Sequence, residues 1–399
     1  MSFALTKKGS PSSSSEFGNV GTPTAVQLTA NGMRGFLRCK EVNAYTFYSF
    51  TTVYKGVIRA TDWDGSAWSS LVPDIGGNTP VTGAYDDGAG LLEISADGAS
   101  VAWDFKFYTP NTYSYKGIMV SGTNPINYLP FIAASPSSPS SQTGTSISPA
   151  ANNTNNPYTP RSILFSDNGA LRFVYYDGPG GNLIEINAGI SGTRSSLWFP
   201  TDGLYGNNLR GFQISGDANH VFVFIGGSIK VFTWNSSAYA FSHEFSASLT
   251  STSSTFSVNF DGSVIAIQNS GVKIYKKTGS TWAQLGGDLT NGSARLNSSG
   301  TLVTIYQISP ALNRALFSWD GTAWGFVRFA PASAFWSGNP ISDNGEVAIA
   351  PANAGSIQRY EIQDVPPLYK GSSNASAIYA GSTPATAVYY GTKKLWPSV

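Results

Sequence analysis

Seven copies of a strand–turn–strand unit, a charged fraction of only 12%, and 43 glycines beside 13% aromatics predict an all-β chain. The expected architecture is a seven-bladed β-propeller followed by a small C-terminal β-rich attachment tail. At 399 residues the chain has room for two or three average domains or one large β fold. Scarce Glu, Lys and Arg argue against a coiled coil or helical bundle. A hydrophobic content of 41% supplies a core and argues against wholesale disorder.

Each copy of the unit places Asn or Asp with Gly between two short apolar runs. The copies run through Gln27-Leu28-Thr29-Ala30-Asn31-Gly32, Glu93-Ile94-Ser95-Ala96-Asp97-Gly98 and Leu164-Phe165-Ser166-Asp167-Asn168-Gly169. A degenerate copy, Gln213-Ile214-Ser215-Gly216-Asp217-Ala218, has Ala where the others have Gly. Three more follow at Val258-Asn259-Phe260-Asp261-Gly262, Leu296-Asn297-Ser298-Ser299-Gly300 and Ile341-Ser342-Asp343-Asn344-Gly345. Asn-Gly and Asp-Gly supply the positive φ that a tight hairpin needs. The spacings are 66, 71, 49, 44, 38 and 45 residues. Four lie near the roughly 40–50 of a propeller blade, and the two long ones carry insertions.

Between these hairpins lies a second signature, a strand pair whose polar turn is followed by an aromatic. It reads Asp62-Trp63-Asp64-Gly65-Ser66-Ala67-Trp68, Trp234-Asn235-Ser236-Ser237-Ala238-Tyr239, Lys277-Thr278-Gly279-Ser280-Thr281-Trp282 and Trp319-Asp320-Gly321-Thr322-Ala323-Trp324. Two hairpins per unit make four strands, and seven units repeated radially make the propeller, over residues 24–364. After Ile357-Gln358-Arg359-Tyr360-Glu361-Ile362 the chain turns to Pro366-Pro367, leaving the seventh blade one strand short. The N-terminal arm, residues 1–23, is the candidate donor, through Phe3 to Thr6 or through Glu16 to Val20. A Ser/Pro/Asn-rich stretch at about 134–160 is an insertion that cannot pack a core. Residues 365–399 form the tail, with Tyr-x-Gly steps at Tyr369-Lys370-Gly371, Tyr379-Ala380-Gly381 and Tyr389-Tyr390-Gly391.

The chemistry-bearing residues are few. Lys+Arg 24 against Asp+Glu 23 leaves a formal charge of +1, too little for the basic stripe of a nucleic-acid binder. A lone Cys39, in an apparent strand, reads as a buried thiol, and His220 and His243 as ordinary strand or loop residues. No Cys/His cluster has zinc-site spacing, so neither metal nor other cofactor is expected. The N-terminus lacks the apolar core of a signal peptide, and no apolar run approaches the roughly 20 residues of a membrane span. Without a paired-carboxylate motif, no catalytic residue is named and an enzyme is not expected. Trp68, Trp282 and Trp324 either stack on sugars or fill equivalent wedges between blades.

The unit from Gly271-Val272-Lys273-Ile274-Tyr275 to Trp282-Ala283-Gln284-Leu285-Gly286 resembles the FG-GAP-like repeats of integrin-α-type propellers. The integrin-type calcium loop, Asp-x-Asp-x-Asp-Gly, is missing; Asp62-Trp63-Asp64-Gly65 comes nearest with too few oxygen ligands. The segment Val388-Tyr389-Tyr390-Gly391-Thr392-Lys393-Lys394-Leu395-Trp396-Pro397 resembles the short C-terminal tails of tailed-bacteriophage virion proteins. That resemblance implies a multi-copy virion structural protein, its propeller displayed on capsid or tail. Its anchor to other virion proteins would be Tyr369, Tyr379, Tyr390, Leu395 and Trp396, and its exposed face would be available to a host receptor or glycan. A bacterial cell-surface adhesion propeller, or a propeller glycosidase, is the alternative.

Overall fold

The computed structural model describes residues 2–8, 20–41, 45–47, 51–53, 56–75, 84–85, 91–108, 114–122, 132–133, 159–178, 181–188, 192–200, 211–225, 227–245, 256–279, 281–308, 313–330, 341–351, 357–365, 379–380, 383–384, 388–390 and 393–396. Every regular element among them is a strand, and all ladders are antiparallel. Five four-stranded sheets follow the chain, four of them meanders of consecutive strands and the first interrupted by a small hairpin, Tyr45–Phe47 with Thr51–Val53. The first joins Val20–Leu28, Arg34–Glu41, Gly56–Trp63 and Trp68–Ile75; the others span 159–200, 211–245, 256–284 and 293–330. The seven four-stranded blades expected from the repeats are therefore five among the described residues.

Two sheets of different strand number occupy the remaining repeat positions. One is five-stranded, with Leu92–Ile94 and Ala84–Tyr85 both paired to Ser100–Tyr108, then Ser114–Gly122 and Ile132–Ala133. The other is three-stranded and joins the two ends of the propeller region. Its strands are Val347–Pro351, Ile357–Val365 and, outermost, Ser2–Lys8, which pairs with Ile357–Val365 from Ser2↔Val365 to Lys8↔Arg359. An isolated bridge, Ile341↔Ala348, adds a short inner partner on its other edge. The low-complexity stretch at about 134–160 lies outside the described residues except for its last two positions.

One turn recurs seven times among the described residues, and its hydrogen bonds explain the sequence repeat. A Ser, Thr or Asn side chain bonds the Asp, Asn or Ser two residues on: Thr29 to Asn31, Ser95 to Asp97, Ser166 to Asn168, Ser215 to Asp217, Asn259 to Asp261, Asn297 to Ser299 and Ser342 to Asn344. The same side chain accepts the backbone N–H five residues on, as from Ser100 to Ser95 Oγ at 3.0 Å. The residue at the third position has φ between 57° and 72°, which disfavours an L side chain. Six copies place Gly there, and the degenerate copy forces Ala218 to φ 57°.

These turns also tie neighbouring sheets together. Backbone N–H groups of Ala30, Asp167, Phe260 and Asp343 donate to the carbonyls of Ala96, Gly216, Ser298 and Ala30, all at 2.8–3.0 Å. Side-chain packing follows the same order. Leu171, Phe173, Ile184 and Ile186 meet Phe212, Ile214, Val221 and Val223 of the next sheet. Phe222, Phe224 and Ile229 meet Phe256 and Ile265 of the one after. Val347, Ile349 and Ile357 pack on Val26, Leu28 and Leu37, so the sheet holding both ends abuts the first sheet. Burying each such side chain contributes about 1.5–3 kcal/mol.

Charge enters this core with partners at Arg38. Arg38, fully buried, pairs with Asp104 of the neighbouring sheet and donates to the Leu91 carbonyl at 2.7 Å. Cys39, next to it, is a free buried thiol within the core.

Candidate functional site: the axial cavity

The strands that enter the seven turns wall a cavity of about 220 Å³ on the ring axis. The turn register decides which side chains reach it. In six of the seven copies the residue two before the Ser, Thr or Asn lines the cavity: Gln27, Glu93, Leu164, Gln213, Ser257 and Arg295. Strand alternation is the cause. Ala294 and Leu296 are buried between sheets while Arg295, between them, is exposed; Phe212 and Ile214 flank Gln213 in the same way. A second tier, one residue past the same position, carries the charges of Asp167 and Asp343.

The charged groups are unequally satisfied. Asp343 is fixed: its carboxylate accepts the Ser298 backbone N–H at 2.5 Å and the Ser298 hydroxyl, and the Asn297 amide donates to its carbonyl at 3.0 Å. In contrast, the carboxylates of Glu93 and Asp167 and the guanidinium of Arg295 make no hydrogen bond or ion pair among the described residues. Burial pushes the Glu93 carboxyl above its ordinary range, and the charge of Arg295 pulls it back. Burial also raises Asp167, with repulsion from Asp343 and Asp217 adding to it and Arg295 opposing. An axial site with an unmatched cation and two strained carboxyls can accept a polar or charged guest.

Sequence reasoning did not single out these four residues. The signal was present in the repeat, because one register position carries Glu93 and Arg295 where the other copies have Gln, Leu, Ser or Pro. Turn chemistry drew attention to the loop instead of to the strand face entering it.

The tryptophans lie elsewhere. Trp68 is 9% exposed and packs edge-on against Trp63, ring centroids 5.3 Å apart, beside Ile349 and Ile357. Trp282, half-buried, meets Phe245 of the preceding sheet at 5.4 Å, and its indole N–H donates to His243 Nε2 at 3.2 Å. Trp324 donates to the Leu285 carbonyl at 2.9 Å, again toward the preceding sheet. All three rings therefore reach between sheets and are absent from the cavity wall. The turns before Trp68, Tyr239 and Trp324 have a local cause. Asp64, Asn235 and Asp320 each accept the backbone N–H groups two and three residues on. Those bonds, led by the one from Ala67, hold the Asp64 carboxyl below its ordinary range.

His220 and His243 lie in the strands His220–Ile225 and Tyr239–Phe245, and burial lowers both. Of the anchor residues, Tyr369 lies outside the described residues. Tyr379 belongs to the hairpin Tyr379–Ala380 with Thr383–Pro384. Tyr390, Leu395 and Trp396 belong to Val388–Tyr390 with Lys393–Trp396.

Radial sheets, inter-sheet cores and an axial cavity lined by successive inner strands have one architecture in common. The fold is a β-propeller. The β-propeller domain of Cps50 (Swd1) from Myceliophteria thermophila aligns with 90% of this chain and 99% of its own, at TM-score 0.52 and 8% identity. The β-propeller domain of the Trilobed protease from Pyrococcus furiosus aligns over 87% and 93% of the two chains, at TM-score 0.46 and 12% identity. A putative 6-phosphogluconolactonase from Bacteroides fragilis aligns over 77% and 84%, at TM-score 0.45 and 14% identity. At these identities the likeness concerns the fold alone. No protein-family model matches the chain, and no curated protein matches it in sequence.

Proposed function

We propose that the chain is a non-enzymatic structural protein of a tailed-phage particle, a seven-bladed propeller anchored by its C-terminal tail. In this reading the five-stranded and three-stranded sheets are the second and seventh blades. The sevenfold recurrence of one turn among the described residues supports that count. The propeller carries FG-GAP-like repeats, and its outward surface meets a host receptor or glycan.

The observation that carries the anchor role is the pairing of the tail. Among the described residues, its two hairpins, at 379–384 and 388–396, form two-stranded sheets of their own and extend none of the propeller sheets. An isolated two-stranded hairpin is marginal in water, so such segments gain stability by docking on a partner. Virion neighbours, capsid or tail, are the partners proposed, with Tyr369, Tyr379, Tyr390, Leu395 and Trp396 as contacts.

Deletion of residues 366–399 tests the anchor. The truncated protein should keep its thermal transition yet be lost from purified particles, as read by immunolabelled negative-stain images. Normal incorporation of the truncated chain contradicts the anchor role, and absence of the full chain from particles contradicts the virion role.

A further inference from the structure

The axial cavity holds an arrangement that the scaffold role does not use. Arg295, a planar donor of five N–H groups, and Glu93 occupy the same register position on different sheets. They act on each other electrostatically but form no ion pair among the described residues. The Asp167 carboxylate, one tier away, likewise makes no hydrogen bond among the described residues, whereas that of Asp343 accepts from Ser298. Neutral polar groups such as Gln213 and Asn259 and apolar ones such as Leu164 and Phe260 complete the wall.

Burial takes hydration from the half-buried Glu93 and Asp167 carboxyls, while the exposed Arg295 guanidinium stays accessible at the cavity wall. Direct pairing of Glu93 with Arg295 would cancel both, yet the ring holds them on separate strands. A volume of about 220 Å³ lies below the roughly 300–1,000 Å³ of drug-sized sites and suits a ligand of few heavy atoms. We infer that the axial cavity is a binding site for a small zwitterion of the amino-acid type. Its carboxylate is taken by Arg295 in a forked contact, and its ammonium by Glu93 and Asp167. The ammonium adds to Arg295 as a positive neighbour of both carboxyls and favours their ionised form.

The test uses the full chain at pH 7 with glycine, 4-aminobutyrate, 6-aminohexanoate and lysine as probes. Butylamine and butyrate serve as singly charged controls. At saturation at least one zwitterion should raise the melting temperature by about 2 °C or more, and neither control should. Titration calorimetry with that zwitterion should show at least a roughly tenfold loss of affinity in Arg295→Gln and in Glu93→Gln. Arg295→Lys should lose less, and it replaces Arg295→Gln if that variant does not fold. Three results overturn the inference: no zwitterion binds, butylamine binds as well as the zwitterions, or the Arg295 variants bind unchanged.

Discussion

At the scale of single residues, Asp167 sits in an unfavourable electrostatic setting. It shares the cavity mouth with Asp343, and the charges of Asp217 and Asp97 also act on it. Its folded pKa is raised above the ordinary carboxylate value. Ionisation therefore opposes folding once the pH exceeds the unfolded pKa of about 3.9, and the penalty grows until the folded pKa is passed. Asp167→Asn removes the charge and keeps the shape. It should raise the melting temperature at pH 7 by about 1–3 °C, and the gain should shrink as pH falls toward the unfolded value. Melting curves at pH 4.5, 5.5 and 7 check this; a gain independent of pH would assign the effect to something other than ionisation. The residue was legible in the sequence only as part of a turn. Its electrostatic setting depends on Asp343, distant in sequence, and no local pattern records that proximity.

The element that repeats is the inner hairpin, and its chemistry was legible. Asp/Asn-Gly after a Ser, Thr or Asn predicted the turn, and the hydrogen bonds realise it seven times among the described residues. Two substitutions of opposite sign test the account. Gly98 has φ 71°, and a Cβ there would lie 2.6 Å from Thr29 Cγ2 of the neighbouring sheet. Gly98→Ala should cost roughly 1–3 kcal/mol through left-handed strain plus overpacking. Ala218 already bears that strain at φ 57°, so Ala218→Gly should stabilise by about 0.5 kcal/mol. Urea unfolding midpoints measure both, and equal signs would show that backbone strain does not govern the turn. What the hairpin pattern did not reveal is strand number. Insertions and a donated strand give the second and the last sheet compositions that differ from the four-strand rule.

For the whole molecule, the decisive contact is between chain ends. Ser2–Lys8 forms the outer strand against Ile357–Val365. Lys8 and Val20 are separated by 11 residues, close to the 10 that separate Pro200 from Gly211 and Phe245 from Phe256. The first strand thus enters the first sheet by a link like those joining the others. Deleting residues 1–8 should expose Ile357–Val365 as an open edge, lower the melting temperature and promote self-association. A synthetic peptide of residues 1–12 added in trans should restore both. An unchanged melting temperature in the deletion would mean that the strand contributes nothing to closure. The sequence left two segments open for this role, because both Phe3–Thr6 and Glu16–Val20 have strand character and only pairing distinguishes them.

By itself the sequence determined what is local: strands instead of helices, the positions of the tight hairpins, the Asx turns before each aromatic, and a core thiol. Those follow from φ preference, side-chain-to-backbone hydrogen bonds and alternation, which act over a few residues. Tertiary structure alone decided which sheets adjoin, that the first strand completes the last sheet, and that Glu93, Asp167, Arg295 and Asp343 meet on one axis. These are contacts between residues up to about three hundred and fifty positions apart, set by how the sheets pack, and packing depends on the whole set of buried faces at once.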